Sequence, residues 1–318
     1  MRTLHIQCVD DLREDLEPAA ATREAAALEA AAAGEPVVTR EAPAVPGDRL
    51  SLADPICQGP VPDETDPDRF DDLRSAFIAS AYALDRDRVR QRLAEDRAAL
   101  AKLDGYDRVV LDFGADWYHR SMLIRVLAVL AAQPDLRGRV YLAERDREVD
   151  DELFALGTEA WAALRSATPE PLAALAAADS ARHGGTDVDR VLPGLAAGIR
   201  RHLAELPWTT DGLSLSERLC LRAVAGGAEA VEEIYRAHQD GDPQPYLREV
   251  MLRPVLDRLS PVLTRPDDLI AVLSGRMTWP GTARWVGGVE LGVPPQWRWD
   301  PNEEQIVHVD GDESRRTA

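Results

Sequence analysis

The chain has 318 residues, 45% of them hydrophobic, and carries a formal net charge of −19. That length can bury a sizeable core or two, whereas no apolar run reaches bilayer-spanning length. The acidic balance disfavours a phosphate backbone as partner unless arginines concentrate locally. Three widely spaced cysteines without a CxxC pair speak against a disulfide framework or a zinc knuckle. The opening MRTLHIQCVDD lacks the basic-then-apolar layout of a secretion signal, so a cytoplasmic protein without a membrane anchor is expected.

Residues 3–8 (TLHIQC) alternate as a first strand and lead to the acidic corner Asp10-Asp11. Residues 12–33 are alanine-rich and helix-prone, and 36–39 and 48–52 read as short strands. After a proline-rich acidic loop, two amphipathic helices are predicted over 70–84 and 85–103. Val109, Val110 and Leu111 form the continuous apolar run of a strand buried on both faces. A tight acidic turn and an apolar helix over 117–132 follow, and 139–143 closes the region as another strand. Strands spaced by helices predict an α/β domain over residues 1–145, with a doubly wound, mostly parallel sheet.

Helices are then predicted over 151–166, 169–178 and 187–206, which makes 146–206 a helical connecting region. Ser214 and Glu217 have capping-box spacing at the start of another helix. Further helices over 228–238 and 245–259 precede strand-like pieces at 268–273, 283–291, 296–300 and 305–309. Helices followed by a small ribbon predict a winged-helix-like module over 207–309, with a disordered tail at 310–318. Arg248, Arg253 and Arg258 lie on its candidate recognition helix, interleaved with Glu249 and Asp257. The absence of a clean basic face favours a protein or ligand partner over DNA, without excluding DNA. Arg248, Trp285 and Trp297 are the candidate partner-binding residues, although tryptophans more often staple a small ribbon to its helices.

Ligands of open α/β sheets sit beyond the carboxyl ends of the strands. Asp10, Asp54 and Asp116 each follow a predicted strand, and His119 lies one turn beyond Asp116. Convergence of the three carboxylates would suit Mg²⁺, which takes a few oxygen ligands and keeps waters for a phosphate. The competing reading is that the aspartates cap the helices that follow, a contact worth about 0.3–1 kcal/mol. GxGxxG, GxxxxGK[ST] and GxSxG are all absent, so dinucleotide, P-loop and hydrolase-elbow sites have no support.

LHIQCVDD, DRLSLADPICQGPV and VVLDFGADWYHRSMLIRVLAVLA together resemble the bacterial proteins carrying domain of unknown function 1835. AGIRRHLAELPWTTDGLSLSERLCLRAVAGG and RWVGGVEL with WRWD resemble their usual C-terminal companion domain. The resemblance implies an α/β N-terminal domain and a helical C-terminal domain, with no established activity. Where that family tends to show Gly-Asp-Ser after the first strand, this chain has Val9-Asp10-Asp11. Where it tends to show Phe-Glu-x-Asp, this chain has Phe113-Gly114-Ala115-Asp116. The functional expectation is a binding or regulatory protein with its cleft near Asp10, Asp54, Asp116 and His119, compatible with a homo-oligomer. The alternatives are a divalent-metal phosphotransferase or phosphodiesterase using the same aspartates, and a DNA-binding regulator.

Overall fold

A computed structural model describes residues 1–9, 47–177, 188–263, 266–274 and 276–309. Asp10, the helix expected over 12–33, the strand expected over 36–39 and the tail 310–318 lie outside these residues.

The central sheet has five strands in the order β2-β1-β4-β5-β6, with β1 Thr3–Cys8, β2 Asp48–Leu52, β4 Arg108–Asp112, β5 Val140–Leu142 and β6 Arg147–Glu148. The first four run parallel and β6 closes the edge antiparallel. β1 buries every second residue as its alternation predicts. Val109, Val110 and Leu111 of β4 are all buried, in keeping with a strand covered on both faces. The chain leaves β1 toward β2 on one side and later returns to β4 on the other. The β1/β4 boundary is therefore the point where strand order reverses, and a crevice forms there in sheets of this kind.

Helices α1 (Pro67–Tyr82) and α2 (Arg86–Leu100) precede β4 and pack as a pair. Asp66 and Asp85 cap them, each accepting a backbone N–H of the first turn. Helix α3 (Trp117–Ala131) joins β4 to β5 and is buried around most of its circumference. It packs against α4 (Asp151–Arg165) at Gly157, where a Cβ would lie 2.4 Å from Leu127 Cβ. α5 (Glu170–Ala177) follows.

The helix expected over 187–206 is broken into α6 (Val188–Val191) and α7 (Leu195–Leu203). Pro193 cannot donate to a continuing helix, and Gly194 takes a left-handed φ of 82°. α8 (Leu215–Ala225) starts with the expected capping box: Glu217 N–H donates to Ser214 Oγ at 3.2 Å, and Ser214 N–H to Glu217 Oε2 at 2.9 Å. α9 (Val231–Gly241) and α10 (Glu249–Leu263) complete this bundle.

The expected ribbon differs in three respects. The strand expected at 268–273 is a helix, α11 (Pro266–Leu273), opened by a proline suited to a first turn. The strand expected at 283–291 is two, β7 (Arg284–Gly287) and β8 (Val289–Leu291), folded back on each other at Gly287-Gly288. Gly287 has a φ of 60°, and a Cβ on Gly288 would sit 2.1 Å from the Arg165 carbonyl oxygen, so this turn admits no side chain. Finally, β7–β8 does not join the last hairpin, β9 (Trp297–Asp300) and β10 (Gln305–His308). β7 instead pairs in parallel with β3 (Gly59–Pro60), the short strand that follows β2. β9 is held to residues 207–209, with Trp299 and Trp208 forming an isolated bridge. One contiguous apolar cluster runs from Leu4 to Trp299. The boundaries expected near residues 145 and 206 therefore mark changes of secondary structure within one core. Among the described residues no helix is long and apolar enough to cross a membrane.

Because α3 and α4 meet without a side chain at residue 157, Gly157→Ala is expected to cost about 1–3 kcal/mol by overpacking. The urea midpoint should fall accordingly, and an unchanged midpoint would show that the helices part freely.

Candidate functional site

The sequence-predicted carboxylates do different jobs. Asp54 is 3% exposed and enclosed by two arginines. Arg74 donates from Nε and Nη2 to Oδ1 at 2.9 and 2.7 Å, and Arg125 donates from Nη1 to Oδ2 at 2.7 Å. Both oxygens are thus engaged and the charge is more than balanced, which corrects its assignment as a metal or ligand contact. A carboxylate in this setting would bind Mg²⁺ only by releasing a buried guanidinium. Among the described residues no group of three or more histidines, cysteines or acids could hold a metal. The three-aspartate Mg²⁺ centre is therefore not assembled from them.

Asp116 is the N-cap of α3, the role its spacing also allowed. Oδ1 accepts the His119 backbone N–H at 3.1 Å, and Oδ2 lies 3.0 Å from His119 Nδ1. Arg248 reaches the same Oδ2 at 3.7 Å and lies over the Tyr118 ring at 4.9 Å. Burial raises the Asp116 carboxyl, but His119 and Arg248 outweigh it and hold the pKa below the ordinary value. The Tyr118 hydroxyl donates to the Val9 carbonyl at 2.7 Å, fixing this group against the carboxyl end of β1. Arg248, expected to face a partner, is thus an inward tie between α10 and the sheet edge. Arg258, one helical face further on, donates to Glu217 at 3.2 Å, so two of the three arginines on that helix turn inward.

Beside this rim lies a cleft of about 370 Å³. One wall is Cys57 to Pro60 with Phe77 and Ala81 of α1. The other is Tyr246, Arg258, Arg284 and Trp285 from the C-terminal half, with His202 and Glu205 between them. Gly59 allows the close fit on the first side, since a Cβ there would lie 2.3 Å from the Phe77 ring. Cys57 is fully enclosed, and burial pushes its thiol pKa far up, so it is not a reactive thiol. Trp285 lines this cleft, whereas Trp297 packs edge-on to His308 at 4.7 Å and against the core.

The cleft is rich in charge that is already matched. Glu217 Oε1 accepts from Arg284 at 2.8 Å and from Arg258 at 3.2 Å. Arg201 donates to Glu205 at 2.6 Å and to Asp242 at 2.7–3.0 Å. Burial raises the Glu205 carboxyl, yet Arg201 and the Ser216 hydroxyl hold it at about 2. His202 is the exception. It is 2% exposed, its ring lies 5.1 Å from the Trp117 ring, and neither ring nitrogen has a hydrogen-bond partner. Burial drives its pKa down to about 4, so the ring is neutral at pH 7.

No protein-family model, curated protein or solved structure matched the chain in the three comparisons made. The site therefore rests on its own geometry. Sequence reasoning placed Asp116, His119 and Arg248 near the sheet edge but missed His202, Glu205, Arg284 and Tyr246. The RxxxE spacing of Arg201 and Glu205 was the available signal, since residues four apart share a helix face.

Removing the Asp54 carboxylate leaves Arg74, fully buried, without its counter-charge. Asp54→Ala should cost about 3–5 kcal/mol in urea unfolding, because a broken buried pair strands its partner. The pH dependence follows from His202. The unfolded chain takes up this proton near pH 6.5, whereas the folded ring resists it down to about 4. Stability is therefore lost as pH falls through this window, by about 2 kcal/mol near pH 5 relative to neutral pH. His202→Phe should make that slope shallower, with His238, also lowered by burial, supplying what remains.

Proposed function

We propose that the protein is a cytoplasmic binding protein that holds a small molecule in the cleft between Gln58 to Pro60 and the C-terminal helices. The observation that carries this reading is the buried His202 ring on the cleft wall, with two nitrogens that nothing in the protein satisfies. A buried polar group without a partner costs about 1–3 kcal/mol, and a ligand that completes its hydrogen bonds recovers that cost. The cleft also has the features common to small-molecule sites: concavity, aromatic walls and a few fixed polar groups. It lies where the strand order of the sheet reverses, beside the Asp116, His119 and Arg248 group. This reading agrees with the resemblance to the domain 1835 proteins, which implies no catalytic activity.

Metal-dependent phosphoryl transfer draws no support from Asp54, whose oxygens are committed to Arg74 and Arg125. Recognition of DNA by α10 draws none from Arg248 and Arg258, which bond to acids of the protein itself.

Ligand-observed NMR with a chemically mixed set of fragments tests the proposal. Some fragments should bind the wild-type protein and lose binding in Ser80→Trp, which places a ring at the exposed mouth of the cleft. If the same fragments bind both proteins equally, the cleft is not the binding site.

A further inference from the structure

The contents of the cleft restrict what it can hold, and this step rests on the binding reading above. Its buried charges form closed sets, Arg258 and Arg284 on Glu217, and Arg201 between Glu205 and Asp242. Three guanidinium groups face three carboxylates. A charged ligand would lose its hydration here and gain no unmatched counter-ion, which is costly in a buried site. Asp257 stands exposed at the rim, where water screens it.

The polar capacity that is left over is specific. A neutral imidazole offers one N–H donor and one acceptor lone pair, and both are unused on His202. Glu205 accepts its hydrogen bonds from Arg201 and Ser216 on Oε1, which leaves Oε2 for a donor from a ligand. Phe77, Tyr246 and Trp285 supply ring surfaces, which favour offset-stacked or edge-on contact with another planar ring. These groups are held in advance. Phe77 seats against Gly59 and packs edge-on to Tyr82 at 6.1 Å, while Trp117 backs His202 and Gly198 gives Trp117 room. The volume of about 370 Å³ is near the small end of ligand sites, which run from about 300 to 1,000 Å³.

We infer that the cleft binds an uncharged, planar, amino-bearing heterocycle of the nucleobase class, its ring against the aromatic walls and its hydrogen-bonding edge toward His202 and Glu205. The edge of such a ring carries adjacent donors and an acceptor, the complement of a neutral imidazole beside a carboxylate oxygen. A phosphorylated form of the same ring lacks a cationic partner here.

The test is calorimetric titration of the full chain at pH 7 with adenine and cytosine as probes. Benzoate, benzylammonium and adenosine monophosphate serve as charged controls. Adenine or cytosine should bind, and the charged compounds at least tenfold more weakly. His202→Phe keeps a ring beside Trp117 but removes both nitrogens, and should weaken the probe about tenfold or more. Trp285→Leu, which leaves the histidine in place, should also weaken it, so the result does not depend on one variant folding. Equal or tighter binding of the charged compounds, or unchanged probe affinity in both folded variants, overturns the inference. Charged fragments that lose binding in Ser80→Trp would sink this ligand class while leaving the binding reading intact. A complete lack of cleft-dependent binding would remove both.

Discussion

One buried arginine shapes the region on which the cleft depends. Arg74 has no exposure, and its guanidinium is used from every nitrogen. Nε and Nη2 hold Asp54, Nη2 also donates to the Pro55 carbonyl, and Nη1 donates to those of Gln58 and Pro60. A rigid planar fork with five N–H groups can satisfy a carboxylate and three carbonyls at once, and a lysine cannot. The segment from Asp54 to Pro60 thus wraps one side chain of α1, which turns β2 away from the sheet and presents Gly59–Pro60 as a strand. Desolvating the pair is expensive, and the full set of hydrogen bonds is what makes it tolerable.

The C-terminal half repeats this logic with acids at the centre. Glu217 closes the capping box of α8 with Oε2, while Oε1 takes Arg258 from α10 and Arg284 from β7. A helix cap worth about 1 kcal/mol in isolation therefore also joins two helices and a strand. Arg201, Ser216, Glu205 and Asp242 form a second closed set. In such networks each bond strengthens its neighbours and a missing member is costly. The cleft between them is consequently stiff, and His202, outside both sets, is its unsatisfied group.

Local pattern made the α/β portion legible. β1 was readable from alternation, β4 from Val109 to Leu111, and α3 from the apolar run after Asp116, because those signals arise within single elements. The capping box at Ser214 was readable for the same reason. Asp54 was not, because its fate depends on Arg74 and Arg125, twenty and seventy-one positions away. Nothing in a linear pattern distinguishes an acid that meets arginines from one that meets a metal. The four C-terminal strands were foreseen nearly in place, apart from the helix at Pro266, but as one ribbon. Their partition between two sheets follows from the β3–β7 pairing, which is invisible until the loop around Arg74 is folded.

Pairing β3 with β7 has a further implication for how this chain could have arisen and how it can be altered. Gly59 sits in register with Val286, so a short stretch near the beginning supplies the lateral partner of one near the end. Neither portion could be inherited, transplanted or expressed by itself without baring a strand edge, and bare edges invite association with other chains. The polypeptide behaves as a closed ring of dependencies, not as beads on a string.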